Sequence, residues 1–279
     1  MPIFERPPLE TLTPSRERWT PIYLEHGRLE VDDSSVKWIG ADRTVFRLPV
    51  ASLSVLMLGP GTTVTHAAMK ACAECNTPVC WVGEEGLRFY AVGVGATHDN
   101  ERARHQAELA VPPSKRDAVA RRMFNMRFAD VDVSGVALKE LRGMEGRRMK
   151  ALYADMGIKY GVTWKGRNYN PDNWDLADNI NRAISAANAA LYSLTMAVVC
   201  GLGYLPELGF IHTTSMQAFV LDMADIYKPE TSLPAAFETV GLKPDATSDD
   251  VITRLKFHIE DRRLLQRLPK DIETLLEDS

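Results

Sequence analysis

From Ile22 to about Val92, apolar and polar positions alternate in short runs rich in β-branched and aromatic residues: IYLEHGRLEV, SVKWIG, RTVFRLP, SLSVLML, PVCWVG and LRFYAV. A period of two puts successive side chains on opposite faces of a strand, so the stretch predicts a small sheet domain. One run departs from it. HAAMKACAEC has helical spacing, and Thr65 can cap its first turn. GVGATHDNERAR then has the composition of a connector, and beyond it the apolar period lengthens to three and four. Helix starts are predicted at Ser114 after Pro112-Pro113, at Ser134, at Asp178 and near Thr213 or Thr214. The expected fold is α+β: an N-terminal β domain over residues 1–96, a linker over 97–106 and a larger all-α domain over 107–279.

A chain of 279 residues, 45% hydrophobic and 25% charged, has enough apolar side chains for one large core or two modest ones. No run of about 18 apolar residues is expected to span a membrane, and the proline-rich, acidic start MPIFERPPLE does not resemble a signal peptide, so a cytoplasmic protein is expected. In that compartment the four cysteines should be reduced thiols. Cys72, Cys75 and Cys80 lie close in sequence but on a helix and a buried-looking strand, which suits core packing better than a closed zinc site with four convergent ligands. The VGVG run and the GPG turn lack a following lysine-bearing helix start and are read as turns.

Net charge is −4, which taken alone argues against a polyanionic partner, yet the charge is unevenly spread. Residues 102–150 carry 12 basic and 6 acidic side chains, whereas residues 222–279 carry 8 and 13. Contact with phosphates is therefore expected over part of the surface, with a solvated helix face as the alternative.

Glu145 falls within the apolar series Leu138, Leu141, Met149, Leu152 and Met156, so it should point with them toward the core. A carboxylate there needs a cation, either a metal or an arginine such as the nearby Arg142 or Arg148. Seventy residues on, Asp222 and Asp225 stand three apart beside the apolar arc Met216, Phe219, Val220, Met223 and Ile226, and His212 precedes that helix. Carboxylates and one imidazole form an oxygen-rich donor set that suits Mg²⁺ or Mn²⁺ and phosphate chemistry.

The stretches LRGMEGRRMKALY and GVTWKGRNYNPDNWDLADNINRAISAANAALYSLTMAVVCGLGYLPELGFIHTTSMQAFVLDMADIYKP resemble the CRISPR-associated integrase/endonuclease family, the larger subunit of the spacer-acquisition complex. IYLEHGRLEV, MLGPGTTVTHAAMKACAECNTPVCWVGEEGLRFYAVG and RRMFNMRF extend the similarity through the N-terminal half, toward subtype I-E. The resemblance implies a β-sandwich-like domain that forms a homodimer, a helical catalytic domain and a small companion subunit bridging two dimers. It implies metal ligation by Glu145, His212 and Asp225, with Asp222 a further catalytic acid. DNA contacts are implied at Arg88, Arg142, Arg148, Tyr169 and His26, the last at a hairpin tip where it would cap a splayed duplex end. The implied reaction joins the 3′-hydroxyl of captured DNA to a CRISPR repeat. A nuclease that only hydrolyses branched or single-stranded DNA and an idle DNA-binding scaffold are the rival expectations. Where close relatives carry a tyrosine and a lysine, this chain has Leu221 and Ser215, so recognition of the flanking motif is expected to differ. The chain stops at LLEDS where some relatives continue into a proline-rich tail, so a contact made by such a tail is not expected.

Overall fold

The computed structural model describes residues 20–32, 35–83, 89–93, 100–128, 131–133, 135–167 and 178–277. Among these residues eight strands come first: β1 (Thr20–Leu24), β2 (Gly27–Asp32), β3 (Ser35–Gly40), β4 (Val45–Leu48), β5 (Leu53–Leu58), β6 (Thr62–Val64), β7 (Val79–Val82) and β8 (Phe89–Gly93). Helix α1 (His66–Glu74) lies between β6 and β7. The remaining helices are α2 (Glu101–Ala110), α3 (Pro113–Arg127), α4 (Leu138–Tyr160), α5 (Asn179–Gly201), α6 (Ala218–Tyr227), α7 (Ser232–Leu242), α8 (Ser248–Asp261) and α9 (Leu264–Leu276). The order is the expected α+β one, a strand-rich domain followed by a helical one.

The strands form two four-stranded sheets, β1-β5-β7-β8 and β4-β3-β2-β6. In the second sheet Leu29 of β2 faces Trp38 of β3 and Val31 faces Val36, so the period-two pattern aligns apolar side chains across the ladder. Leu29, Val36, Trp38 and Leu48 of this sheet share one core with Leu53, Leu56, Leu58 and Val79 of the first sheet and with Ala68 and Cys72 of α1. Each such large side chain stabilises the sandwich by about 1.5 to 3 kcal/mol. The Thr65 hydroxyl accepts from the Ala68 amide at 3.3 Å and caps α1 as expected.

Strand β5 is apolar on both faces. Leu56 and Leu58 enter the sandwich core, while Val55 and Met57 point the other way, against Cys80, Val82 and Ala197 near the end of α5. This second face explains why Ser193–Leu205 groups with residues 1–105 as one compact unit, the other comprising Gln106–Tyr192 and Pro206–Ser279. Helix α2 starts at Glu101, within residues read as connector.

Several expected boundaries move. Helix α4 begins at Leu138, and the start expected at Ser134 lies outside the described residues. Helix α6 begins at Ala218 because the preceding turn is closed by Ser215, whose hydroxyl accepts from the Gln217 amide at 3.1 Å. His26 is exposed, but it is not at a hairpin tip, since β1 and β2 belong to different sheets. It occupies the crossing between them at φ 54°, with its N–H donating to Pro60 O at 2.9 Å and its carbonyl accepting from Ala41 N at 2.7 Å. Gly27, the next residue, packs against Trp38, where a Cβ would lie 2.3 Å from the indole ring.

Among the described residues one helix does meet the length and composition of a membrane span, contrary to the expectation that none would. That helix is Asn179–Gly201, with a mean hydropathy of 1.6 and 72% of its apolar window buried, as in the core helix of a globular fold. In the helical unit, Tyr153 of α4 stacks on Trp164 at 4.8 Å and Trp164 meets Phe237 of α7 at 5.6 Å, which ties α4 to α7.

The cysteines are core residues: Cys72, Cys75 and Cys80 are buried and Cys200 is half-buried, all as free thiols. Burial pushes the Cys72 thiol up to about 12, with Cys75 adding to the effect, and burial pushes Cys80 up as well. A thiol-specific chromogenic reagent at pH 8 should therefore modify Cys200 alone in the native protein and all four cysteines after denaturation. Rapid native modification of three or four would contradict this packing.

Candidate active site

The expected acids and histidine meet within the helical unit, and the organising residue is Asp222. Its side chain is wholly buried on α6, and one carboxylate oxygen accepts from the Phe210 amide at 2.6 Å and the Ile211 amide at 3.0 Å. The other accepts from the His212 amide at 2.9 Å and is paired with His212 Nδ1 at 2.7 Å. Three consecutive amides and an imidazole thus replace the water that a carboxylate loses on burial. The loop can wrap this tightly because residue 209 is glycine: a Cβ there would stand 2.3 Å from His212 O and 2.8 Å from the Ala218 carbonyl carbon.

Held through Nδ1, the His212 ring turns Nε2 toward Asp225, whose Oδ2 lies 3.9 Å away. The hydrogen bond to Asp222 raises the His212 pKa above its usual value; burial opposes the rise, and the charges of Asp222 and Asp225 add to it. Asp225, one turn beyond Asp222, is one-fifth exposed and forms an ion pair with Lys228. Burial by itself would lower the Lys228 pKa, but Asp225 and Tyr192 outweigh it and the net direction is upward.

Glu145 is less buried than its place in the apolar series suggested, with 23% of its side chain exposed. Its partner is neither Arg142 nor Arg148 but Arg127, from the last residue of α3, which forms an ion pair with Glu145 Oε1. The same Arg127 nitrogen, Nη1, lies 3.9 Å from Asp225 Oδ2, and Nη2 donates to Asp222 O at 2.8 Å. Arg142 donates to Ile211 O at 3.1 Å, and Arg148 donates to Arg127 O while lying 5.4 Å over the Phe128 ring. Glu145 and Asp225 therefore both approach the Arg127 guanidinium, and His212 Nε2 approaches Asp225; the guanidinium is only 5% exposed, and its Nε is buried without a hydrogen-bond partner among the described residues. An unsatisfied buried donor costs about 1 to 3 kcal/mol.

Among the described residues no three His, Cys, Asp or Glu side chains form a preassembled metal cage. The donor set nevertheless fits an oxygen-preferring divalent cation. Two carboxylates and an imidazole are the right donor types: Glu145 Oε1 and Asp225 Oδ2 both approach Arg127 Nη1, His212 Nε2 lies 3.9 Å from Asp225 Oδ2, and the imidazole is oriented by a carboxylate behind it, the usual arrangement for a ligating histidine.

Arg127 and Lys228 are the site residues that the sequence reading missed. Arg127 continues the buried face of α3 marked by Ala120, Met123 and Phe124, so the argument that singled out Glu145 applies to it too. Lys228 stands three residues after Asp225 and could have been found as an i,i+3 ion pair. Arg88 and Tyr169 lie outside the described residues. His26 belongs to the strand-rich unit and Asp222 to the helical one. Arg147 and Arg148, with Phe128, Val131 and Met144, line an open pocket of about 450 Å³.

A two-sheet domain followed by a helical domain that gathers two carboxylates and an oriented histidine defines the class, and similarity to known proteins gives the family. Residues 22–132 and 129–243 match the family described as CRISPR associated protein Cas1. The CRISPR-associated endonuclease Cas1 2 of Chlorobaculum tepidum is 42% identical over 268 residues, spanning 96% of this chain and 90% of that protein. The protein of the same name from Thermus thermophilus is 40% identical, spanning 96% of this chain and 82% of that protein. The crystal structure of a TtCas1-DNA complex superposes with a TM-score of 0.85 at 39% identity, covering 95% of this chain and 98% of that one. The chain belongs to the Cas1 family.

Because Asp222 satisfies three amides and an imidazole, Asp222→Asn turns an amide donor toward groups that themselves donate. Chemical denaturation in the presence of chelator should show a loss of about 2 to 3 kcal/mol. Unchanged stability would mean that Asp222 does not hold the His212 loop.

Proposed function

We propose that this chain is a metal-dependent DNA endonuclease and integrase of CRISPR adaptation, which joins the 3′-hydroxyl of a captured DNA fragment to a CRISPR repeat. The observation that carries the reading is the run of close approaches from Glu145 through Arg127 to Asp225 and on to His212 Nε2, with His212 oriented from behind by Asp222. Membership of a family whose relatives are named endonucleases supports it, as does the likeness to a Cas1 structure solved with DNA.

Glu145, His212 Nε2 and Asp225 would hold Mg²⁺ or Mn²⁺. When bound, the ion supplies a Lewis acid that polarises a phosphoryl oxygen and makes the attacking hydroxyl more acidic. Asp222, being fully enclosed, positions His212 rather than touching DNA. Lys228, held against Asp225, adds positive charge beside the reacting phosphate. In the joining step the 3′-oxygen forms a bond to phosphorus as the repeat's own P–O bond breaks, so the number of phosphodiester bonds is unchanged. Arg142, Arg147 and Arg148 are exposed and placed to meet phosphates, although Arg142 and Arg148 each also donate to a backbone carbonyl, whereas Arg121 and Arg122 are half-buried and engaged with the carbonyls of Val136 and Leu275.

The partners are double-stranded DNA with splayed or single-stranded ends, repeat DNA, a second copy of the chain joined through the β domain, and a small companion subunit bridging two dimers, in a cytoplasmic system of subtype I-E. Arg88, Tyr169 and exposed His26 would contact DNA, His26 by stacking on the duplex end.

The idle-scaffold reading draws on the Arg127–Glu145 pair, which satisfies the carboxylate without metal. Divalent ion separates the two. With a labelled fragment, the companion and a supercoiled plasmid carrying a repeat, the wild-type protein should join strands in Mg²⁺ or Mn²⁺ and not in chelator. Glu145→Gln, His212→Ala and Asp225→Asn should each slow joining at least a hundredfold, about 2.7 kcal/mol of barrier, while still binding DNA. Wild-type rates in any one of them, or equal joining in chelator, would overturn the proposal.

The reaction should also depend on pH through His212. Protonated Nε2 cannot accept a metal bond, and Asp222 raises the imidazole's pKa, so joining should increase as pH rises through that value. Asp222→Asn removes the main cause of the shift, and the rise should move to lower pH in a pH–rate profile from 6 to 9.5. An unmoved midpoint would exclude His212 as the titrating group.

A further inference from the structure

The Arg127 guanidinium stands between two of the candidate ligands, Glu145 and Asp225, and the third, His212 Nε2, lies 3.9 Å from the same Asp225 oxygen. One nitrogen is paired with Glu145 Oε1 and lies 3.9 Å from Asp225 Oδ2. A structural arginine at a buried site normally has its donors satisfied, whereas Arg127 Nε is enclosed and has no hydrogen-bond partner among the described residues. The backbone oxygen of the same residue accepts from Arg148, so the residue is linked to the exposed arginine row through its carbonyl and to the acids through its side chain. The guanidinium is thus strongly placed by charge and incompletely placed by hydrogen bonding.

We propose that Arg127 is the site's resident cation and competes with the divalent ion for Glu145 and Asp225. It neutralises the two carboxylates while no ion is bound, and it must leave Glu145 Oε1 when the ion arrives. Arg127 therefore sets the affinity for the ion at this site, keeping it weaker than the donor set would otherwise give. This inference rests on the metal site proposed above. Even with water-like screening, a unit positive charge about 4 Å from a divalent ion is worth more than a factor of ten in binding.

Mn²⁺ binding measured by calorimetry and by electron paramagnetic resonance on the DNA-free protein tests this without reference to activity. Arg127→Gln, which keeps a polar side chain but removes the charge, should bind Mn²⁺ at least tenfold more tightly than wild type. Arg127→Lys, which keeps the charge, should stay near wild type. Should the uncharged variant not fold in chelator, the wild type still decides the matter. The Arg127 Nε–H nuclear resonance, identified by its loss in Arg127→Lys, should shift and saturate with Mg²⁺ as the guanidinium leaves Glu145. Unchanged or weaker affinity in Arg127→Gln, equal tightening in both variants, or an Arg127 resonance indifferent to Mg²⁺ would overturn the competition. Failure of wild type and both variants alike to bind Mn²⁺ would overturn the metal site itself along with it.

Discussion

The site depends on one enclosed charge. Asp222 is a carboxylate with no solvent exposure, and such a group is tolerated only when its oxygens are fully engaged. Three successive amides, from Phe210 to His212, and the His212 ring meet that demand together. From this follow the tight course of the loop, the need for glycine at 209 and the direction of His212 Nε2 toward Asp225. Because the carboxylate that orients the histidine also closes the loop, geometry and stability at this site cannot be altered separately.

The second organising feature is a balance of charge at close quarters. Glu145 from α4 and Asp225 from α6 approach a common space, and Arg127 from α3 and Lys228 after α6 enter it from the opposite sign. Four charged side chains drawn from three helices and the segment that follows one of them make an arrangement that an incoming cation or phosphate must rearrange. The central basic stretch divides by exposure: Arg121 and Arg122 are half-buried against carbonyls inside the fold, while Arg142, Arg147 and Arg148 face solvent.

Much of this was legible in the chain. Glu145 betrayed itself by breaking an apolar series on α4, Asp222 and Asp225 by their spacing, and the α+β order by the change of period near residue 100. What escaped the reading was whatever depends on pairing across long sequence separations. Periodicity finds the residue on a helix but not its partner, so the arginines weighed against a metal as partners of Glu145 were Arg142 and Arg148 on its own helix, whereas Arg127 on α3 reaches it. Strand runs likewise carry no label for their sheet, so β1 and β2 looked like a hairpin around His26 although they lie in separate sheets. The two apolar faces of β5 were visible as SLSVLML, but only the fold shows that its second face is covered by Ala197 and its neighbours.

The central claim is that Glu145, His212 and Asp225 form a single divalent-metal site oriented by Asp222. Anomalous diffraction from crystals grown in Mn²⁺ at pH 8 tests it most directly. The account predicts one strong peak in the helical unit within coordination distance, about 2.0 to 2.3 Å, of the Glu145 carboxylate, His212 Nε2 and the Asp225 carboxylate, with Asp222 still bonded to His212 Nδ1. A peak that omits His212, one ligated directly by Asp222, or no peak there at an occupancy found elsewhere in the crystal would contradict it.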